Sequence, residues 1–226
     1  MQNEASFSYA ERKRFAESKS QTSNLTMLKF DKTKDIAKEI CTLQGVNMSN
    51  DNLKRLADIL EPIKLIRGKK PVQEGEVCRN IYYVKHGLLV QTYKKNGVKV
   101  TESFAHEGDF ALCIESYFRQ EPSLLEIQTL EPSILYGLPY DKLMELAHTS
   151  FEICNLIFAI ERNLLYILQQ HADAMRFESA KDKYLRLTKT KPEIVRRAPM
   201  HLIASFLQIT PETLSRVRTQ VNSEEK

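Results

Sequence analysis

Short β-branched and aromatic segments separated by turn residues fill the chain from Pro62 to Pro139, and this alternation most constrains the fold. Four segments carry the pattern: PIKLIR, NIYYVKHGLLVQTYK, VKVTESF and SLLEIQTL. The turn residues are Gly68, Gly75, Gly87, Asn96-Gly97 and Gly108-Asp109. Asn-Gly between two alternating segments is a strong hairpin signal, because both residues tolerate positive φ. Many short strands at regular intervals predict a closed or rolled antiparallel sheet, which usually encloses its own side chains or a small ligand.

Helical patterns lie on both sides of this β-rich region, which makes the predicted fold class α+β. On the N-terminal side they cover DIAKEICTL and SNDNLKRLADIL, the second with Ser49 or Asn50 as its N-cap. Residues 1–26 are rich in Ser, Gln, Asn, Glu and Lys, so we predict a flexible tail there. Residues 27–140 are then a helical lead-in followed by the β-roll.

One long helix is predicted over residues 141–172, and its apolar residues recur at alternating spacings of four and three. These residues are Ile153, Ile157, Ile160, Leu164, Ile167 and His171. Such a heptad pattern is typical of two helices that bury one apolar stripe against each other. Packing on the protein's own sheet is the alternative, but Leu156 and Leu165 supply a second apolar face. Two apolar faces favour two partners, and we predict that the helix packs on the roll and on a second subunit.

The C-terminal segment IASFLQITPETLSRVR has the pattern of a helix-turn-helix, within a predicted unit of residues 173–226. Its apolar positions are Ile203, Leu207, Ile209, Leu214 and Val217. Two helices that cross steeply need one shared apolar wedge and a small residue at the crossing, which Ala204 provides. Thr210 is a good N-cap and Pro211 suits the first helical turn, so the second helix has a defined start.

The exposed N-terminal residues of this second helix suit the edges of DNA bases. Arg can form two hydrogen bonds with guanine and Glu can accept one from cytosine, whereas hydroxyls can contact phosphates. The predicted DNA-binding residues are Thr210, Glu212, Thr213, Ser215, Arg216 and Arg218, with Arg196 and Arg197 adding charge nearby. The alternative is that Glu212 and Arg216 form an ordinary surface ion pair. Gln208 stands where such turns usually have glycine, and a left-handed conformation there would cost about 1–2 kcal/mol.

Charge and composition favour a DNA-binding protein over a membrane protein or a metalloenzyme. From Ala172 onward there are eleven Lys and Arg against seven Asp and Glu, so this quarter carries the whole net charge of +4. The sequence lacks a long apolar run and a signal-peptide pattern, which predicts a cytoplasmic protein without a membrane partner. Four widely spaced cysteines and five histidines show no zinc, iron–sulfur or other metal spacing. We find no nucleophile–base pattern and predict no catalytic residue.

The helix-turn-helix segment resembles the C-terminal winged helix-turn-helix of the cyclic-AMP receptor protein/FNR family of bacterial transcription regulators. The stretch QEGEVCRNIYYVKHGLLVQTYKKNGVKVTESFAHEGDF is similar to the cyclic-nucleotide-binding-type β-roll of that family. The likeness runs from about Ser49 to Val221, and the order of parts agrees. It implies an N-terminal antiparallel β-roll, a long dimerisation helix and a C-terminal winged helix-turn-helix, in which Glu212 and Arg216 match base-contacting positions.

The ligand cassette departs from the family. Members that bind cyclic nucleotides carry Gly-Glu-Leu and then Arg-Ser after the Gly-Asp-Phe turn, whereas this chain has Leu112-Cys113-Ile114 and Pro122-Ser123. The resemblance places the effector pocket at Phe110, Leu112, Cys113 and Ser123. A buried phosphate without its Arg would be uncompensated, so we do not expect cyclic AMP as the effector. No cysteine precedes Cys41, which argues against an iron–sulfur sensor, and nothing supports haem.

These observations predict a homodimeric, sequence-specific transcription regulator that is controlled by an effector other than cyclic AMP. One alternative is a small-molecule-binding module whose C-terminal helices bind protein. A second is a cupin-like enzyme, which would need a third metal ligand beside His86 and His106. The sequence leaves open the effector, the operator, activation versus repression and a surface for RNA polymerase.

Overall fold

A computed structural model of the protein describes residues 32–224, so the prediction for residues 1–26 lies outside the described chain. The helices are α1 at 32–43, α2 at Asn50–Ile59, α3 at Ile114–Arg119, α4 at Tyr140–Thr149, α5 at Phe151–Phe177, α6 at Ala180–Thr190, α7 at Pro192–Arg197, α8 at Met200–Phe206 and α9 at Pro211–Glu224. The strands are β1 at Glu61–Leu65, β2 at Asn80–His86, β3 at Leu89–Lys95, β4 at Val98–Ala105, β5 at Phe110–Ala111, β6 at Leu125–Thr129 and β7 at Ser133–Pro139. The α+β class is confirmed.

The strands form two antiparallel sheets, in the orders β1-β7-β2-β5 and β4-β3-β6. The predicted hairpin joins β3 to β4, with φ of 52° at Asn96 and 78° at Gly97. Strand β7 was not singled out by the sequence pattern, yet it pairs with both β1 and β2 in the first sheet. Between β2 and β3, Gly87 has φ of 111°, and a Cβ there would lie 2.2 Å from the Ser133 hydroxyl. Only glycine fits that turn.

One hydrophobic core joins the first sheet to α1, α2, α4 and the N-terminal half of α5. Leu56, Leu138, Leu143 and Leu156 are completely buried in it. Burying each such side chain stabilises the fold by roughly 1.5–3 kcal/mol. Ser49 is the N-cap of α2, as predicted, and its hydroxyl accepts from the Asn52 N–H. The lead-in helices are therefore part of the same folded unit as the β-roll.

The prediction of one continuous helix over residues 141–172 was wrong, because the chain forms two helices there, α4 and α5. The chain is extended at Ser150, where φ is −145° and ψ is 116°. The Ser150 hydroxyl accepts from the Ile153 N–H at 3.3 Å, which satisfies a donor that the new helix start leaves free. Helix α5 then continues five residues past the predicted end, to Phe177.

Helices α6 to α9 form a second core around the helix-turn-helix. Its buried residues from the α6–α9 part of the chain are Tyr184, Leu187, Ile194, Ile203, Ala204, Leu207, Leu214, Val217 and Val221. Four of the five predicted apolar positions and the small residue Ala204 are therefore in this core, and Ile209 packs on it while partly exposed. Within residues 32–224 no strand follows Pro139, so the β-wing that the resemblance implied is absent there. The short connection from α6 to α8 forms helix α7 instead.

Gln208 in the turn between α8 and α9 has φ of 55°, in the left-handed region that favours glycine. Its side chain is exposed, so nothing in the core depends on it. We therefore expect Gln208→Gly to raise the free energy of unfolding by about 1 kcal/mol, because glycine removes a strain of about 1–2 kcal/mol and adds some chain entropy to the unfolded state. Urea denaturation would measure the change.

Gln208→Ala is the matched control, since alanine keeps the Cβ and therefore keeps the strain. Equal stabilisation by the glycine and alanine variants would contradict this account of the turn.

Candidate nucleic-acid interface and ligand cavity

Helix α9 presents a polar N-terminal face to solvent. The Thr210 hydroxyl accepts from the Thr213 N–H at 3.1 Å and so caps the helix. Leu214 and Val217 face the core, which leaves Glu212, Ser215 and Arg216 exposed. The cap and the buried pair thus fix which residues of α9 point outward.

Two of the six residues predicted to bind DNA are less available than the other four. Thr213 is half-buried and its hydroxyl lies 3.1 Å from that of Thr210. The Arg218 guanidinium contacts the sulfur of Met200 on α8 and is also half-buried. Arg218 therefore contacts α8, whereas Thr210, Glu212, Ser215 and Arg216 form the exposed part of the face.

The carboxylate of Glu212 is held in its ionised form at the start of α9. Hydrogen bonds from its own backbone N–H and from the Thr210 side chain, together with the charge of Arg216, lower the pKa of Glu212. A helix N-terminus also favours negative charge. The residue is an acceptor at neutral pH, as contact with a cytosine amino group requires.

The C-terminal helices dock on the β4-β3 edge of the roll in the same chain. Phe206 of α8 meets Phe104 of β4 edge to face, with ring centroids 5.5 Å apart. The Thr101 N–H of β4 donates to the Ser205 hydroxyl at 2.9 Å. Leu88, Val90 and Phe104 belong to the roll, but they are buried in the core of the C-terminal domain.

Ion pairs surround this apolar contact. Both terminal nitrogens of Arg197 bind the carboxylate of Glu107, at 2.8 and 3.1 Å, and one of them also binds Glu131. Nearby, Lys191 binds Asp109 at 2.7 Å. Arg197 was expected to add charge to the DNA face, and this was wrong, because its side chain is only 16% exposed and points toward the roll. Glu131 and Glu107 lie 66 and 90 positions before Arg197, so the local sequence gave no signal for this cluster.

His86 completes the cluster on the roll side. One ligand atom each from His86, Glu107 and Glu131 lies within 4.8 Å of the others, a spacing that could also suit a metal ion. Here the guanidinium of Arg197 supplies the positive charge that the two carboxylates need.

The seam predicted on α5 for the dimer contact lies mostly inside the chain. Ile153 and Ile160 are 0% and 1% exposed, so neither can reach a second subunit without leaving the core. Ile157 and Leu164 pack against the same core while partly exposed. His171 stacks on Phe206 of its own chain, and only Ile167 among the six is largely exposed, at 49%.

A different stripe of α5 is exposed. Phe151, Phe158 and Leu165 follow one another at intervals of seven residues and are 77%, 63% and 67% exposed. Leu168 continues the stripe three residues further on and is 45% exposed. The heptad that is open to a partner is thus shifted from the predicted one.

A cavity of about 670 Å³ lies between the roll, α5 and the C-terminal helices. Phe110 and Leu112 of the predicted effector pocket line it, whereas Ser123 lines a separate cavity of about 500 Å³. Cys113 is completely buried and lines neither of these two cavities.

The segment Leu112-Cys113-Ile114 stands in place of the cyclic-nucleotide cassette, and its side chains are a thiol and two aliphatic groups. The Cys113 N–H donates to the sulfur of Cys78 at 3.4 Å, and both cysteines are buried and free. Contact with Cys113 and burial raise the pKa of Cys78, which keeps that thiol protonated. Glu115 and Arg119 of α3 pair with each other on the surface, with side chains 72% and 66% exposed. Arg119 therefore does not replace the missing phosphate ligand.

Comparison with known proteins shows the fold. No family model and no curated protein matches the chain. The structure is similar to FixK2 from Bradyrhizobium japonicum, with 16% identity and a TM-score of 0.62 over 74% of this chain and 86% of that one. It is also similar to CLP, a c-di-GMP-responsive global regulator of Xanthomonas campestris, with 15% identity and a TM-score of 0.60 over 78% of this chain and 93% of that one.

A third similar structure is a crp/fnr-family transcriptional regulator from Eubacterium rectale, with 16% identity and a TM-score of 0.58 over 78% of this chain and 85% of that one. The predicted resemblance is confirmed at the level of the fold: this chain has a cyclic-nucleotide-binding-type roll followed by C-terminal helices, and it is similar in structure to these proteins. None of the helices in residues 32–224 has the length and apolarity to cross a membrane.

The link between the roll and the C-terminal helices has a testable pH dependence. Burial opposes the charge of Glu107, but hydrogen bonds from Arg197 and from the Gly87 N–H outweigh it and lower the pKa of Glu107 to about 2. A lowered pKa gives stability that is present above the ordinary carboxyl pKa, near 4.5, and is lost as the pH falls from there toward 2. We expect Glu107→Gln to be less stable than the wild type above about pH 5, and the difference to shrink toward pH 2.

Urea denaturation at several pH values would measure this difference. Glu115→Gln is the control, because its carboxylate has only an exposed ion pair, which contributes little to stability. A Glu107→Gln deficit that did not change with pH would contradict the assigned ion pair.

Proposed function

We propose that the protein is a sequence-specific DNA-binding transcription regulator that acts as a cytoplasmic homodimer and is not an enzyme. The observation that carries the proposal is the helix-turn-helix of α8 and α9, with Glu212, Ser215 and Arg216 exposed at the start of the second helix. Its position after a cyclic-nucleotide-binding-type roll supports the same function, since regulators share this arrangement.

In this proposal α9 enters the major groove with its N-terminal half. Arg216 forms two hydrogen bonds with a guanine. The carboxylate of Glu212 exchanges its hydrogen bonds at the start of α9 for one from a cytosine amino group. The hydroxyls of Thr210 and Ser215 contact phosphates and set the register of the helix. The docking of α7 and α8 on the roll leaves this face open, because Glu212, Ser215 and Arg216 stay exposed in the docked chain.

The second subunit covers the exposed stripe of Phe151, Phe158, Leu165 and Leu168 on α5. Three of these residues are seven apart, and a heptad stripe on one helix is self-complementary with its copy across a two-fold axis. Two recognition helices then reach successive major grooves, about 34 Å apart, on a roughly palindromic operator.

The roll controls the dimer by binding an effector other than cyclic AMP. The missing phosphate ligand and the thiol-lined cassette support this part of the proposal. The contacts of α7 and α8 with β3 and β4 give the roll a direct route to the recognition helix.

Selection of bound fragments from random duplex DNA tests the proposal. We expect the wild type to enrich a palindromic motif, and Arg216→Ala to lose about 1–3 kcal/mol of discrimination at one base pair in each half-site. Arg119→Ala removes the same charge from α3 of the roll and should keep the full motif.

The salt dependence of DNA binding separates this function from the alternative in which the C-terminal helices bind protein. Contacts with several phosphates make the affinity fall steeply with salt. No enriched motif together with a salt slope near zero would reject DNA binding.

Leu165→Glu tests the dimer stripe. A carboxylate buried between two α5 helices would have no partner, so we expect the dimer to weaken by more than about tenfold. Sedimentation should show the wild type at twice the 26.2 kDa chain mass and the variant shifted toward the monomer.

Leu124→Glu is the control, because Leu124 is 78% exposed but lies outside α5. An unchanged dimer in Leu165→Glu would place the contact elsewhere.

A further inference from the structure

Three parts of the protein line the 670 Å³ cavity. Apolar side chains form most of its wall, namely Leu112 and Leu125 of the roll, Ile160 and Leu164 of α5, and Ile194 and Phe206 of the C-terminal helices. A cavity of this size and character is typical of small-molecule sites. A molecule that filled it would contact the roll and the helix-turn-helix directly.

The polar groups of the wall are mostly satisfied already. Lys191 is bound to Asp109 at 2.7 Å. The Gln91 amide donates to the Leu112 carbonyl at 3.2 Å and accepts from the Ser103 hydroxyl at 2.9 Å. Among the described lining residues no cation is left unpaired, so a phosphate or carboxylate in the cavity would lack a counter-charge.

The ring of His171 also lines the cavity, whereas its Nδ1 is buried away from the accessible space and has no hydrogen-bond partner in the described chain. The ring stacks on Phe206, with centroids 4.7 Å apart and planes 21° from parallel. Burial and the charges of Arg186 and Lys183 lower the pKa of His171, so the ring is neutral at neutral pH.

We propose that this cavity binds a mainly apolar small molecule without an anionic group, which bridges the roll to the helix-turn-helix. Such a molecule stabilises the docked arrangement of the C-terminal helices, because it binds only where both walls are in place. Its role as the effector rests on the proposed function, whereas the binding itself does not.

The first test measures binding of Nile red, an uncharged apolar dye with carbonyl oxygen, to the full chain without DNA. We expect saturable binding of one dye per chain with blue-shifted emission, and no displacement by cyclic AMP. Ser103→Phe places a ring in the cavity and should weaken binding at least tenfold. Val98→Phe adds the same ring at a 65% exposed position of the same strand and should leave binding unchanged.

Leu165→Glu is measured in parallel, because it removes a second candidate site for the dye, the part of the stripe formed by Phe151, Phe158 and Leu165, which do not line the cavity. Thermal melting of each variant confirms that it is folded. Dye binding that is absent, unaffected by Ser103→Phe, abolished by Leu165→Glu or displaced by cyclic AMP would overturn the proposal.

Hydrogen exchange tests the bridge. Nile red should slow amide exchange both in the roll and in α7 and α8, and slowing confined to the roll would overturn the bridging contact. All of these measurements are made without DNA, so a chain that binds the dye but selects no operator would disprove the proposed function and leave the cavity assignment intact.

Discussion

Leu88, Val90 and Phe104 belong to the roll, yet their side chains complete the core of the C-terminal domain. Burial of apolar surface is the main stabilising term in this contact, and it needs no particular direction. The ion pairs around this contact orient the C-terminal helices on the roll. The bidentate contact of Arg197 with Glu107 fixes both the orientation and the distance. The position of α9 relative to the roll depends on these two effects together.

Helix α5 packs against both the roll and the C-terminal helices. One side of its N-terminal half is buried against the roll, through Ile153, Leu156 and Ile160. Near its C-terminal end His171 contacts Phe206 of the helix-turn-helix. The side with Phe158 and Leu165 is exposed. A helix packed on both the roll and the helix-turn-helix can transmit a change from one to the other, since its side chains cannot repack independently.

The roll has a cyclic-nucleotide-binding-type fold without the charged side chains of the cyclic-nucleotide cassette. Where a carboxylate and a guanidinium are needed, the chain places Cys113 and Pro122-Ser123, and the Cys113 N–H donates to the buried sulfur of Cys78. The largely apolar wall of the cavity, where Lys191 is already paired with Asp109, selects against anionic ligands, because an anion would lose its hydration there without gaining a counter-charge. The same fold can in this way respond to a different class of molecule.

Local signals in the sequence determined the parts of this protein. Asn96-Gly97 fixed the hairpin, Ser49 and Thr210 fixed two helix starts, and the spacing of Ile203, Leu207, Leu214 and Val217 fixed the helix-turn-helix, because each depends on neighbours within a few residues. The family likeness then ordered these parts correctly.

Only the tertiary structure decided which surfaces meet. Heptad spacing on α5 fits more than one stripe, and burial of Ile153 and Ile160 in their own chain selects the stripe of Phe158 and Leu165 as the open one. Arg197 looked like one more cation of a basic domain until folding brought Glu107 and Glu131 to it. The cavity at His171 likewise joins residues far apart in the chain. Contacts between distant residues depend on the packing of whole helices and strands, so a local sequence pattern does not predict them.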